Sequence, residues 1–320
     1  MSLYQKYRPK DFNSLIGQSF VAKALTAALV GHKTVGVYLF CGSRGTGKTS
    51  VARILAKAMN CTSLVADGNP CGICFNCQAA ADSSMLDIIE IDGASNNGVA
   101  NVRELIERAR FQPSMGAYKV YIIDEVHMLS SGAFNALLKI LEEPPSHVKF
   151  ILATTESHKI PDTIISRSQR YDFRKISESD IIGRLQFVAE QESIQADATA
   201  LALVAKLARG GLRDALSLFE QYSIAGVLSY DFMMENLSLL GEDFLTTLVQ
   251  DILTKNIESF TQAMDTLRAR SIDPRRFAEE LLGYVRTRAL ALARTVEFAP
   301  LWFIFKTLSE AYPRLKEFPD

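Results

Sequence analysis

Along the first half of the chain, short continuous apolar runs alternate with longer stretches in which apolar positions recur every three or four residues. The runs at 37–41, 86–91, 119–124 and 148–154 have the length and the β-branched and aromatic content of buried strands. The stretches at 48–59, 99–110 and 132–142 carry the helical period. Strands and helices in alternation predict a parallel sheet with helices on both faces, an α/β fold. The third helix must stop before Pro144 and Pro145, which lack a backbone donor and cannot continue it.

From Ser177 the strand-like runs disappear and helical periodicity dominates. Ser177-Glu178-Ser179-Asp180 reads as an N-cap signal for a helix over 181–192. Further patterns at 197–208 and 212–222 complete a three-helix unit, too small to bury much surface alone. Beyond Asp231 come amphipathic patterns at 233–239, 243–254, 257–269 and 274–295. The expected organisation is an α/β domain over 1–176, a helical lid-sized unit over 177–240 and an all-helical domain over 241–320.

Composition narrows the class. A chain of 320 residues, 48% hydrophobic and 22% charged, is globular rather than disordered. The net charge of −1 offers no global attraction to nucleic acid, so any such contact needs a local basic face. The first ten residues contain no apolar leader. The apolar stretch at 298–305 is cut by Pro300, ended by Lys306, and too short to span a bilayer. A cytosolic (cytoplasmic) protein without a membrane partner is expected.

The densest chemistry lies between the first strand and the first helix. Gly42, Ser43, Arg44, Gly45, Thr46, Gly47, Lys48, Thr49 and Ser50 form a glycine-rich loop closed by Lys-Thr at a helix start. Glycines let backbone N–H groups turn inward around phosphate oxygens, and the helix N-terminus adds partial positive charge there. The pattern predicts a nucleoside triphosphate site in which Lys48 reaches the β- and γ-phosphates and Thr49 takes a Mg²⁺ position. The strand at 119–124 ends in Asp124-Glu125, the second half of such a site. Asp124 would hold Mg²⁺ through water, and Glu125 would act as general base on the attacking water.

Three further positions carry both a functional and a plain reading. Thr155, at the tip of the fourth strand, can hold the attacking water or is simply a β-branched strand residue. Arg167 can serve as an arginine finger toward a neighbouring subunit's nucleotide, or stand as a solvated surface residue. Arg213 opens a helix and can reach a γ-phosphate from the lid, or form a surface pair with Asp214.

Four of the five cysteines, Cys61, Cys71, Cys74 and Cys77, fall within one short loop. In a reducing compartment that spacing points to a metal rather than to disulfides. Four thiolates suit a closed structural zinc site, and the run of x2 spacings is also compatible with an iron–sulfur cluster. Cys41, in the first strand, reads as a small buried apolar residue.

With these pieces in order the chain resembles the AAA+ ATPases of the clamp-loader clade. The likeness is carried by Tyr7-Arg8-Pro9, Phe12, Gly17-Gln18, the loop from Gly42 to Thr49, the four cysteines and Ile123 through Leu129. It continues through Asn135 to Lys139, Leu141 to Pro145, Ala153-Thr154-Thr155, Ser166-Arg167 and Leu212 to Leu216. The resemblance implies an ATP-hydrolysing motor that opens a ring-shaped sliding clamp and places it on primer-template DNA during replication. It implies partners in a hetero-oligomeric ring of loader subunits, the clamp, and DNA contacted at its backbone. On the same ground ATP and Mg²⁺ are expected cofactors, and residues 61–77 a module holding structural Zn²⁺. Tyr7, Arg8 and Pro9 fall where the clade packs its N-terminal segment against adenine. Thr155 falls at sensor 1, Arg167 at the trans arginine finger and Arg213 at sensor 2. Ser168 stands where the clade usually has cysteine. The clade also implies a collar that continues beyond Asp320.

Arg103, Arg108 and Arg110 share the helix at 99–110 with Glu104 and Glu107, a mixture that favours a solvated face over a phosphate track. In the clade the matching region faces DNA, which makes Arg103 the weak candidate for a backbone contact. Two rival functions fit the sequence less well. A non-hydrolysing scaffold fits poorly with an intact Lys48, Glu125 and Arg167. An unfoldase would need an aromatic pore loop, and Asp92-Gly93-Ala94-Ser95-Asn96 reads instead as a polar turn.

Overall fold

A computed structural model describes residues 1–237, 240–269, 272–295 and 298–316. The sheet is five-stranded and parallel, built from β1 (Val37–Gly42), β2 (Ile88–Asp92), β3 (Lys119–Asp124), β4 (Val148–Thr154) and β5 (Gln169–Phe173), in the order β2-β3-β4-β1-β5. This order seats β1 between β4 and β5, and β3 beside β4. The carboxyl ends of β1, β3 and β4 therefore lie side by side, where ligands of open α/β sheets bind.

Side chains alternate across the sheet with period two and fill two separate cores. On one face Leu39, Cys41, Tyr121, Ile123, Phe150 and Leu152 pack with residues of the helices Val99–Ala109 and Ser131–Glu142. On the other face Tyr38, Phe40, Val120, Ile122, Ile151 and Ala153 pack with the helices Ser19–Val30 and Lys48–Met59. The strand interiors read as continuous apolar runs because both faces are covered.

Several parts of this unit depart from the sequence-based expectation. Strand β5 was not foreseen, since only Tyr171 and Phe173 of its five residues are buried. The helices Ser19–Val30 and Phe75–Ala81 were also missed. The second strand begins at Ile88 rather than at Leu86, which is exposed.

Ser177 caps the helix Glu178–Glu192 by accepting the Asp180 N–H at 3.1 Å, as its sequence signal predicts. Helices Ala198–Leu207 and Leu212–Tyr222 follow, with a two-stranded ladder between Gln195–Ala196 and Val227–Leu228. By contact density the chain divides into Met1–Leu228 and Ser229–Asp320, so the three-helix segment belongs with the sheet in the first unit.

The second unit contains the helices Tyr230–Asn236, Glu242–Thr254, Ile257–Ala269, Pro274–Ala291 and Phe298–Ala311. Its core joins Leu245, Leu248, Val249, Leu281, Val285 and Leu301. Asp273 caps the helix that Pro274 opens, accepting the Arg276 N–H at 2.9 Å. Residues 238–239 of the helix expected at 233–239, and the end of the chain at Pro319-Asp320, lie outside the described residues. Among the described residues no helix is long and apolar enough to cross a membrane.

Candidate active site

The glycine-rich loop leaves β1 and enters the helix Lys48–Met59, and its backbone is fixed by two close approaches. A Cβ on Gly42 would stand 2.5 Å from the Phe173 carbonyl oxygen on neighbouring β5. Gly45 has φ +76°, and a Cβ there would meet Gly211 Cα at 3.0 Å. Its carbonyl accepts the Leu212 N–H at 3.0 Å, so the loop is tied to the segment that precedes Arg213.

Lys48 is buried, and its Nζ donates to the carbonyls of Gly42 at 2.8 Å and Ser43 at 2.9 Å. Burial lowers its pKa from the usual lysine value, with Glu125 and Asp124 opposing that shift. Thr49 Oγ1 donates to Asp124 Oδ2 at 2.7 Å, which brings the loop and the end of β3 together. Asp124 Oδ1 also accepts the Glu125 N–H at 2.9 Å.

Glu125 is a non-glycine residue in the left-handed region, at φ 46° and ψ 46°, a conformation that costs on the order of 1 kcal/mol and clusters at functional sites. Its Oε2 accepts from Thr155 Oγ1 at 2.8 Å and from the Thr155 N–H at 3.2 Å. The carboxylate at the end of β3 and the hydroxyl after β4 thus form one unit.

Lys48, Thr49, Asp124 and Glu125 face a cavity of about 450 Å³ whose lining also includes Tyr4, Tyr7, Arg8, Pro9, Leu15, Ile16, the rest of residues 44–50, Glu90, Asp92, Ile176, Leu212, Arg213 and Leu216. That volume falls within the range of small-molecule sites. The N-terminal segment supplies one wall and is held by the three-helix segment. Leu3 N–H donates to Glu220 Oε2 at 3.1 Å, Arg184 donates to the Tyr7 carbonyl at 3.0 Å, and the Tyr7 hydroxyl bonds to Glu192. The Arg213 guanidinium sits 4.7 Å from the centre of the Tyr4 ring, a cation–π contact. Burial, reinforced by nearby Arg53, lowers the pKa of Arg8.

The structure therefore gathers Tyr7, Arg8, Pro9, Arg44 through Ser50, Asp124, Glu125 and Arg213 at one cavity, with Gly42 and Ser43 joined to it through Lys48 and Thr155 through Glu125. Arg167 does not line it. Its guanidinium donates to the Thr163 carbonyl at 2.8 Å and pairs with Glu142 at 3.0 Å on an exposed surface. Arg103 and Arg110 are exposed at the helix Val99–Ala109, and Arg108 pairs with Glu104.

Sequence reasoning overlooked several neighbours. Arg53, one turn and more into the loop helix, holds Glu90 with two bonds of 2.6 and 2.7 Å. Tyr4 and Arg184 anchor the N-terminal segment, and His127 lies beside Glu125. The contacts of Arg53 and Arg184 join residues 37 and 177 positions apart, so no local pattern announces them.

The sulfurs of Cys61, Cys71, Cys74 and Cys77 lie within 4.8 Å of one another. Cys61 and Cys74 are 4.0 Å apart, and Cys71 and Cys77 are 3.9 Å apart. Four thiolates bonded to zinc at roughly 2.3 Å stand about 3.8 Å from one another, so the donor set fits a tetrahedral ion. The separations are far beyond a disulfide bond. Backbone N–H groups of Cys71, Cys74 and Cys77 point at the sulfurs of Cys61, Cys71 and Cys74 at 3.4, 3.3 and 3.4 Å. Burial alone would raise the Cys74 thiol, but hydrogen bonds from Thr62 and the Cys77 amide outweigh it and bring it down to about 6. Cys41, by contrast, is buried in the core and its thiol is pushed up by burial, as expected of an apolar residue.

Residues 17–177 match the family described as "DNA polymerase III, delta subunit", and residues 180–226 match "DNA polymerase III clamp loader subunit, ATPase lid domain". The chain is 43% identical over 319 residues to DNA polymerase III subunit tau of Bacillus subtilis, covering 98% of this chain and 56% of that protein. It is 40% identical over 290 residues to subunit tau of Escherichia coli, covering 90% and 45%. It is 40% identical over 259 residues to subunit gamma of Buchnera aphidicola, covering 80% and 70%. The chain spans about half the length of the first curated relatives it matches. Among solved structures, the Thermotoga maritima RuvB Holliday junction branch migration motor matches with a TM-score of 0.54 at 17% identity, covering 88% of this chain and 91% of that one. That likeness supports an AAA+ fold.

Proposed function

Since the chain belongs to the tau/gamma family of DNA polymerase III clamp-loader subunits, we propose that it binds and hydrolyses ATP as a motor subunit of a clamp loader. The observation that carries this reading is the convergence of Lys48, Thr49, Asp124 and Glu125 at one cavity beneath a glycine-rich loop. Triphosphate oxygens would take over the Lys48 ammonium from the Gly42 and Ser43 carbonyls and accept N–H groups at the start of the helix Lys48–Met59. Thr49 and Asp124 offer the hard oxygen donors that suit Mg²⁺, which would neutralise charge on the phosphates.

Glu125 is the group that accepts a proton from the attacking water, and Thr155 fixes its direction by two hydrogen bonds to one oxygen. Tyr7, Arg8 and Pro9 form the wall against which the base and sugar would rest. Arg213 reaches the cavity from the three-helix segment, so the angle of that segment depends on what the cavity holds. Arg167, paired with Glu142 away from this cavity, would exchange that partner for a neighbouring subunit's γ-phosphate. Hydrolysis would then require assembly. Residues 177–240 act as lid and 241–320 as collar in this reading, in keeping with the change of matched family between 177 and 180. Cys61, Cys71, Cys74 and Cys77 would hold a structural zinc whose four protein ligands leave no open position.

The partners are the other loader subunits, the sliding clamp and primer-template DNA. ATP turnover by the reconstituted complex, with and without clamp and primed DNA, tests the proposal. Turnover that rises when both are added supports it. A complex that binds no ATP, or whose turnover ignores both partners, would refute it.

A further inference from the structure

The hydrolytic reading above gives no task to His127, yet its side chain is only 5% exposed and lies beside the glutamate at the centre of that reading. It sits on the 3-10 turn Val126–Met128, immediately after the left-handed backbone of Glu125. Its Nδ1 is 3.4 Å from Glu125 Oε2 and 3.1 Å from Thr154 Oγ1. Its Nε2 is 3.3 Å from Glu156 Oε1. Thr154 Oγ1 accepts the Glu156 N–H at 3.0 Å, which closes a ring of contacts at the end of β4. Glu156 in turn faces Lys159 at 2.9 Å and His158 at 3.6 Å.

Ionised Glu125 and Glu156 can only accept, so the ring holds both carboxylates as a donor with a hydrogen on each nitrogen. The imidazole therefore lies between two carboxylates, one facing each ring nitrogen, with Thr154 Oγ1 beside Nδ1. At Glu125, the two Thr155 donors and the imidazole all reach the same oxygen, Oε2. Among the described residues no hydrogen bond reaches Glu125 Oε1. The carboxylate is held by one oxygen and offers the other.

We propose that His127 is a positioning residue for Glu125. With Thr155 it anchors Oε2 and thereby aims Oε1 at the water that attacks the γ-phosphate. The inference rests on the hydrolytic reading, and its test separates the two.

ATP turnover and ATP affinity are measured on the assembled complex carrying wild type, His127→Ala, His127→Asn, Glu125→Gln, and Glu125→Gln combined with His127→Ala. His127→Ala lowers kcat about tenfold, a fraction of the 10²–10⁴ that a positioned base contributes, with ATP affinity unchanged. His127→Asn recovers most of the rate, because its amide nitrogen takes the place of Nδ1. In the Glu125→Gln background, His127→Ala causes no further loss, since the carboxylate it aims is already gone. Should the alanine variant fail to fold, His127→Gln, which reaches toward Glu156 but not back to Glu125, stands in for it. A wild-type kcat in His127→Ala, an equal loss in both backgrounds, or a loss of affinity alone would overturn the inference. Equal turnover in wild type and Glu125→Gln would instead sink the hydrolytic reading, and this one with it.

Discussion

The four-cysteine module gives a prediction whose size follows from how it is attached. Chelation at neutral pH is expected to release one zinc per chain and to unfold the loop from Cys61 to Cys77 together with the helix Phe75–Ala81. Three side-chain hydrogen bonds join this module to the chain on its N-terminal side. Asn76 Nδ2 donates to the Asn60 carbonyl at 2.8 Å, Phe12 N–H donates to Asn69 Oδ1 at 2.7 Å, and Asn13 Nδ2 donates to Asp67 Oδ2 at 3.1 Å. At about 0.5–1.5 kcal/mol for each such bond, and with the third exposed, the module's attachment is worth roughly 2–3 kcal/mol. The two sheet cores involve the module only at its margin, through Leu64. Loss of metal should therefore lower the stability by that modest amount and leave the sheet folded, unlike a small zinc finger that unfolds outright. Metal content before and after chelation, with hydrogen exchange resolved along the chain, provides the assay. Amides of residues 61–81 should lose protection while those of β1, β3 and β4 keep it. Unchanged protection at 61–81 in metal-free protein would refute the reasoning, as would a purified chain containing iron or disulfide bonds.

Three other outcomes follow from the cavity. Gly45→Ala places a Cβ 3.0 Å from Gly211 Cα at a left-handed φ, a strain of roughly 1–2 kcal/mol, so ATP affinity measured by titration should fall by about tenfold or more. Thr155→Val keeps the shape but removes the 2.8 Å bond to Glu125, whose side chain is 32% exposed. The low end of a charged hydrogen bond, about 1.5 kcal/mol, predicts roughly a tenfold drop in kcat with little change in thermal midpoint. Arg167→Ala should leave ATP binding intact and lower turnover of the assembled complex by roughly 10³–10⁵, while normal turnover in that variant would remove the residue from the mechanism.

Much of the fold was legible because its strands are covered on both faces. The boundaries of β3 and β4 coincide with apolar runs that end at a charge or a turn. Strand β5, at the sheet edge, has Gln169, Arg170 and Asp172 facing outward, and two buried residues are too few to signal a strand. The helix Ser19–Val30 carries a readable stripe in Val21, Leu25 and Leu29. The site divides in the same way. The loop from Gly42 to Thr49 is contiguous and declares itself. The contacts of Glu125 with Thr155, and of His127 with Glu156, exist because β3 and β4 are neighbours, a fact of sheet order rather than of local sequence. The clasp of the N-terminal segment by Arg184, Glu192 and Glu220 depends on a turn of the three-helix segment toward it, which no local period encodes.

The central claim is that this cavity cleaves ATP through Glu125. The most direct measurement is the rate of phosphate release from complexes saturated with ATP, comparing wild type with Glu125→Gln. The account predicts equal ATP occupancy and a rate lower by about 10²–10⁴ in the variant. Equal rates at equal occupancy would contradict it.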